Sequence, residues 1–297
     1  MSEYRCGFVA VVGRPNVGKS TLINAVMGRK VSIVTAKPQT TRHRILAVHT
    51  GDDAQIIFVD TPGLHRRAGK VMNRLMNRTA ASALADADLV LFVIDATRWT
   101  SEDDDVLKRL KGCRAPVIAV LNKVDRVHPK EKLLDTMALM SARFTFAEIV
   151  PVSALKGDNL EDLMTLIPGF LPESPPLFPK DMHTDRSREF HAAEVIREKL
   201  TLQLHQELPY GLTVQVERCV EEDGGVAMSA IIWVERNSQK GIVIGKNGSV
   251  LKKVGQAARL ELAEQLGRPL HLELWVKVKA NWADSEKDLR SLGYETP

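Results

Sequence analysis

Between Gly13 and Thr21 the chain reads GRPNVGKST, which satisfies the spacing G-x-x-x-x-G-K-[ST] directly after an apolar run and before a helical stretch. Glycines at that interval let the backbone wrap closely around phosphates, and the loop amides and the helix N-terminus supply positive potential. Lys19 is then placed to reach the terminal phosphates of a nucleoside triphosphate, and the Ser20 hydroxyl to ligate Mg2+. Gly13, Asn16, Val17, Gly18, Lys19, Ser20 and Thr21 are the candidate phosphate-binding residues. The bland alternative, a glycine-containing turn that binds nothing, does not account for both flanks being correct.

Two further stretches follow in chain order. DTPG, from Asp60 to Gly63, ends a strand-like run; Asp60 can hold a water of the magnesium ion, and Gly63 can offer its N–H to a γ-phosphate. NKVD, from Asn122 to Asp125, ends another such run. Either tetrapeptide alone is common by chance, but together with the first loop they fall at strand C-termini, where open α/β sheets bind ligands. Asp125 selects the base: guanine presents N1–H and N2–H2 side by side, which one carboxylate can accept together, and adenine has no such pair. A site built on a buried acceptor of this kind rejects the wrong analogue by ~10⁴ to 10⁵. Asn122 is expected to tie the loops together and face the purine, and Lys123 to lay its stem along the base plane. Ser153 and Ala154 follow the next strand, where a backbone N–H can meet guanine O6; by itself Ser153 reads equally as a helix cap.

Positioning these residues requires a particular set of elements. Strands are expected at Gly7–Val12, Ile45–Thr50, Gln55–Asp60, Leu89–Asp95, Val117–Leu121 and Glu148–Val152, with helical stretches between them. That alternation predicts an α/β domain with a mixed, largely parallel sheet over residues 1–171. The turn Gly51-Asp52-Asp53 makes one strand antiparallel. LPESPPLFPKDMHTD, from Leu171, breaks helices, so a linker is expected over 172–187. Beyond it, over 188–297, the order changes to a smaller α+β unit. Ile196, Leu200, Leu204 and Leu208 recur on a helix expected to end at Pro209, followed by strands near Leu212–Val220 and Val226–Glu235. A glycine loop, a helix carrying Leu251, Val254, Ala258, Leu262 and Leu266, and a strand at Leu270–Lys279 complete it.

That second glycine loop, GIVIGKNGSVLKK from Gly241, is not another nucleotide loop: its glycines are too closely spaced, and Asn247 stands where a hydroxyl is needed. Ile244-Gly245-Lys246-Asn247-Gly248 resembles instead the I-G-x-x-G loop of the KH RNA-binding module. There, glycines let a sugar-phosphate backbone lie against the turn, and about four nucleotides are clamped beside an apolar groove. Lys246, Lys252 and Lys253 are the candidate phosphate contacts, aided by the helix N-terminus. Although residues 181–297 are slightly acidic as a whole, no Asp or Glu lies between Arg236 and Leu260. The alternative for this basic stretch is a solvated helix face. On the last strand, Trp275 beside Lys277 and Lys279 can stack on a base or be buried against a C-terminal helix around Ala283–Leu292.

The composition excludes other classes. With 44% apolar and 26% charged residues in 297 and a net charge of +4, the chain is an ordinary globular one. The apolar runs Leu89–Ile94 and Pro116–Leu121 are too short to cross a bilayer, and MSEYRCGFVAVVG lacks the pattern of a signal peptide, so a cytosolic protein is expected. Cys6, Cys113 and Cys219 are scattered and read as reduced residues, and the eight histidines show no metal-site spacing.

With GRPNVGKST, QTTRHR (Gln39 to Arg44), DTPGLH, NKVD and SAL, then DRS (Asp185 to Ser187), ELPY, VIGKNG and HLELWVKVKANWADSEKDLRSLGY, nearly the whole chain resembles the Era family of bacterial ribosome-assembly GTPases. The resemblance implies that QTTRHR is the first switch and that Thr41, with Thr40 as the alternative, is the magnesium ligand that senses the γ-phosphate. The metal set is then Ser20, Thr41 and Asp60, and Lys19, Thr41 and Gly63 act on the γ-phosphate. Leu64 stands where many GTPases carry a water-orienting glutamine. An apolar side chain cannot do this, so slow hydrolysis is implied, with the water held by backbone, a loop or a monovalent cation. Asn16 matches the P-loop asparagine associated with K+ in related GTPases, and His65 reads as a solvated switch residue. The implied ligands are GTP, GDP, Mg2+ and K+, and the implied partners are small-subunit (16S) ribosomal RNA and the 30S subunit during its assembly. The chain is expected to be a monomer in the cytoplasm, with peripheral association at the cytoplasmic face of the inner membrane. The rival reading is a GTP-dependent adaptor or signalling switch whose C-terminal unit binds a protein or the membrane surface.

Overall fold

The computed structural model describes residues 3–37, 39–63, 71–204 and 208–294, and the chain divides into a unit that ends at Asp185 and a second that begins at Arg186. In the first, the apolar runs form β1 (Arg5–Val12), β2 (Ile45–Thr50), β3 (Ala54–Asp60), β4 (Leu89–Asp95), β5 (Val117–Asn122) and β6 (Glu148–Val152). Their order is β2-β3-β1-β4-β5-β6, and every neighbouring pair is parallel except the β2–β3 hairpin. β4 and β5 are buried along their whole length, which is why they read as continuous apolar runs rather than alternating ones. The connecting helices are α1 (Lys19–Met27), α2 (Val71–Ala85), α3 (Ser101–Leu110), α4 (Lys132–Arg143) and α5 (Leu160–Leu166). Val106, Leu107 and Leu110 of α3 and Met140 of α4 bury their side chains against Phe92, Ile94, Ala119 and Leu121 of the sheet.

Parallel strands bring their C-termini to one edge. The register pairs Val11 with Asp60, Asp95 with Asn122, and Asn122 with Val152, so the loops after β1, β3, β4, β5 and β6 all open there. The strand order changes direction at β1, the switch point at which such sheets hold ligands.

The proline-rich stretch after Leu171 runs along this first unit. Cys6 N–H donates to Pro172 O, and the Gln55 side chain accepts from Leu177 and Phe178 N–H while donating to Phe178 O. Thr184 bridges Ala47, and Leu46 N–H donates to Asp185 Oδ1 at 2.9 Å. The segment thereby satisfies the outer edge of β2, which would otherwise expose unpaired backbone.

The second unit comprises α6 (Arg188–Gln203), β7 (Leu212–Glu222), β8 (Gly225–Val234), α7 (Asn237–Ile244), α8 (Ser249–Leu266), β9 (Leu270–Val278) and α9 (Glu286–Ser291). β7 and β8 are antiparallel, β8 and β9 parallel. Ile196 and Leu200 of α6 and Val254, Ala258 and Leu262 of α8 pack on Ala230 and Ile232 of β8. Two expectations need correction. α6 stops at Gln203 rather than Pro209, because Leu204 adopts an extended conformation (φ −93°, ψ 151°) that sends its side chain into the core. A helix not foreseen from the sequence, α7, precedes the glycine loop; its eight residues include Gly241 and bury only Val243, too little for a periodic signal.

Candidate functional sites

The loop from Gly13 to Gly18 leaves β1 and enters α1 at Lys19. Lys19 is buried beneath it, donating from Nζ to the carbonyls of Gly13 at 3.0 Å and Arg14 at 3.1 Å. Burial lowers its pKa to about 8, against the nearby Asp60 charge and with the help of the Arg14 charge. Ser20 Oγ donates to Asp60 Oδ2 at 2.9 Å and lies 2.9 Å from Thr41 Oγ1, which donates to the same Asp60 oxygen at 3.4 Å. Asp60 is fully buried, its pKa is raised by that burial, and among the described residues no side chain or backbone group makes a geometrically sound hydrogen bond to its Oδ1. Three converging oxygen donors and one orphaned carboxylate oxygen fit a hard divalent cation. Thr40 turns elsewhere, its hydroxyl 2.7 Å from both Thr35 Oγ1 and Lys37 O.

A cleft of about 340 Å3 lies over these groups, lined among others by Asn16, Gly18, Lys19, Thr21, Thr41, Gly63 and Lys123. Asn16 donates its side-chain amide to Ala36 O at 2.7 Å, joining the loop to the segment before Gln39. Gly63 packs so closely that a β-carbon there would lie 3.1 Å from Pro15 Cγ. Leu64 and His65 fall outside the described residues.

At the other end of the cleft Asn122 joins three loops. It donates from Nδ2 to Val17 O at 2.9 Å and accepts at Oδ1 from the backbone N–H of Ala154 at 3.0 Å and of Lys123 at 2.8 Å. The Ala154 amide, expected to face guanine O6, is thus given to Asn122 in this structure. Ser153 Oγ donates to Asp125 Oδ1 at 2.7 Å, fixing the carboxylate expected to read the base. Lys123 holds a left-handed backbone conformation (φ 67°) and donates from Nζ to Asn16 O and Asp95 Oδ2, both at 2.7 Å.

Sequence reasoning missed Arg14, Asp95 and Asp103. Arg14 is buried inside the phosphate loop with Nε 3.0 Å from Asp103 Oδ2, and Asp103 also accepts from the Thr100 backbone and hydroxyl at the start of α3. The available signal was positional: Asp95 ends β4 as Asp60 ends β3 and Asn122 ends β5.

In the second unit, the loop Gly245–Gly248 separates α7 from α8. Gly245 has φ 76°, and a β-carbon on it would meet Val250 Cγ2 at 2.5 Å and Val250 N at 2.9 Å. Ile244 packs on the core beneath, while Lys246, Asn247, Lys252 and Lys253 are exposed around the loop and the first turns of α8. Bare backbone, an adjacent helix N-terminus and three exposed cations suit a phosphodiester chain. Trp275 is 60% exposed rather than buried; the C-terminal segment instead buries Trp282, whose Nε1 donates to Gly211 O.

Comparison with known proteins follows this division. Residues 8–123 match a family described as "50S ribosome-binding GTPase" and residues 207–283 match the KH domain. GTPase Era of Marinobacter nauticus is 50% identical over 291 residues, covering 98% of this chain and 95% of the relative. GTPase Era of Yersinia pestis is 50% identical over 290 residues, covering 97% and 96%. Among solved structures, Era in complex with MgGDPNP and nucleotides 1506–1542 of 16S ribosomal RNA is 41% identical with a TM-score of 0.94, over 98% of this chain and 99% of that one. An Aquifex aeolicus Era variant bound to GDP·AlF4− is 42% identical with the same TM-score and coverage. Half of all positions being shared across both units, with the same fold throughout, the chain belongs to the Era family of GTPases.

Proposed function

We propose that this GTPase binds GTP and Mg2+ in the cleft above β1, hydrolyses GTP to GDP and phosphate, and binds small-subunit (16S) ribosomal RNA during 30S assembly. The observation that carries the nucleotide assignment is the triple junction at Asn122, which draws the phosphate loop, the base-reading loop and the loop of Ala154 together. In this reading Gly13, Asn16, Val17, Gly18, Lys19 and Thr21 cradle the phosphates. Ser20, Thr41 and Asp60 hold Mg2+, directly or through water, and Lys123, Asp125, Ser153 and Ala154 form the base site. Magnesium and Lys19 neutralise charge on the transferred phosphoryl group, and Gly63 N–H fixes the γ-phosphate. Asn16, whose side-chain amide donates to Ala36 O, is the residue that would hold a K+ ion, which would supply positive charge beside the phosphates.

The RNA part rests on the related complex with 16S ribosomal RNA and on the exposed loop Ile244–Gly248 with Lys252 and Lys253. Residues 1–171 act as the GTP-binding domain, 172–187 as the linker and 188–297 as the RNA-binding domain. Among the described residues no helix is long and apolar enough to cross a membrane; we place the protein in the cytoplasm as a monomer, with peripheral attachment at the inner membrane. The test is Mg2+-dependent hydrolysis of GTP against ATP, in K+ and in Na+, alongside filter binding of a 16S fragment at two salt concentrations. GTP-selective, K+-stimulated turnover with salt-sensitive RNA binding is expected. Equal turnover of ATP would overturn the base assignment, and absent RNA binding would favour the adaptor reading.

A further inference from the structure

The carboxylate that ends β4 is not among the residues assigned to either ligand, yet it bonds Lys123 of the proposed base site. Asp95 is buried, and its Oδ1 is taken by Thr97, from the backbone N–H at 3.0 Å and the hydroxyl at 2.6 Å. Oδ2 is left for Lys123 Nζ at 2.7 Å, with the Arg14 guanidinium 3.9 Å away. Arg14 is itself held by Asp103, Nε to Oδ2 at 3.0 Å. Burial pushes the Asp95 carboxyl up, but the hydrogen bonds from Lys123 and Thr97 outweigh it, so its pKa lies below the ordinary value and the group is ionised at neutral pH.

Lys123 has a backbone conformation that residues with a β-carbon rarely adopt. Its Nζ is anchored twice, to Asp95 and to Asn16 O. With its backbone conformation set and its Nζ held, the four-carbon stem bridges to Asn16 of the phosphate loop and lines the cleft. We propose that Asp95 is a positioning residue of the base site, holding the Lys123 stem so that the apolar surface for the guanine ring exists before nucleotide arrives. This rests on the assignment of Lys123 to the base. Because GTP and GDP share that end, loss of Asp95 weakens both alike and raises KM, while kcat at saturating GTP is unchanged.

The experiment is a double-mutant cycle on the full chain, with GDP affinity measured by calorimetry for wild type, Asp95→Asn, Asp95→Ala, Lys123→Ala and the Asp95→Ala/Lys123→Ala pair. Removing one partner of a buried charged hydrogen bond should weaken GDP binding roughly tenfold or more. Lys123→Ala should weaken it at least as much, and the double variant should match Lys123→Ala within about twofold. Asp95→Asn keeps the shape and an acceptor for Thr97, so it carries the test should Asp95→Ala fail to fold. A double loss equal to the product of the single losses, a fall in kcat, or wild-type affinity in Asp95→Asn overturns the positioning role alone. Wild-type affinity in Lys123→Ala overturns the base-site assignment beneath it.

Discussion

The side-chain amide of Asn122 stands where a β-carbon on Gly18 would have to go: the two atoms would be 2.3 Å apart. Glycine at this position is therefore a condition for the junction between the phosphate loop and the base-reading loop. In Gly18→Ala, Asn122 must move and give up Val17 O, and the left-handed backbone (φ 103°) adds about 1–3 kcal/mol of strain. We expect a lower melting temperature and GDP affinity reduced by at least about tenfold, since a lost buried hydrogen bond adds about 1 kcal/mol more. Calorimetric binding and thermal melting check both; unchanged affinity would mean the junction does not position the loop.

Asp125→Asn should exchange the base preferred. Ser153 Oγ occupies Asp125 Oδ1, and an amide at 125 retains an oxygen acceptor while offering an N–H to the carbonyl that xanthine carries at position 2. GTP affinity should fall by about 10² or more while XTP affinity rises, the asymmetry expected when a site's polar groups are matched to one edge. Competition between GTP and XTP measures it, and undiminished GTP binding would remove Asp125 from the base site.

Much of this was legible in the sequence for a physical reason. Strands such as β4 and β5 are buried on both faces and announce themselves as unbroken apolar runs, and Asp60, Asn122 and Ser153 sit where those runs end. The choice between Thr40 and Thr41 was not legible, because both are polar residues in the same loop; only the fold turns one toward Asp60 and the other toward Thr35. Arg14 and Asp103 are 89 positions apart, and nothing local marks two charges as a buried pair. Alternation placed Trp275 on its face of β9 but could not say that Trp282, rather than Trp275, would be the buried tryptophan.

Lys19, as a phosphate ligand, should make nucleotide binding pH-dependent. Burial lowers its pKa to about 8, below the ordinary ~10.4 of a lysine. Phosphate oxygens beside Nζ restore the charged form, so above about pH 8 binding takes up a proton and affinity falls, with log K losing up to about one per pH unit. The folded-state pKa being lowered, the unfolded chain holds more protons between about pH 8 and 10.4, and the contribution of Lys19 to nucleotide-free stability rises with pH over that window. Calorimetry in buffers of differing ionisation enthalpy at pH 8.5 would reveal the proton uptake. Lys19→Met should abolish it, and uptake that persists in Lys19→Met would assign the proton to another group.

The proposed RNA role of the Gly245–Gly248 loop can be tested without breaking the fold if its two glycines are treated differently. A β-carbon on Gly245 would collide with the Val250 side chain and backbone N, whereas one on Gly248 would meet nothing within 4 Å. Gly245→Asp therefore disturbs the start of α8 as well as any ligand. Gly248→Asp keeps the packing, bears only the cost of its φ of 75°, about 1–2 kcal/mol, and sets a carboxylate where a phosphate would approach. It should weaken 16S fragment binding and leave GDP affinity intact. Replacing Lys246, Lys252 and Lys253 with Ala removes exposed side chains with little effect on stability. If each neutralises one phosphate, the slope of log K against log salt should flatten by about 2, since each contact on a single strand contributes roughly 0.7. A folded triple variant with the wild-type slope would place the RNA elsewhere on the second unit.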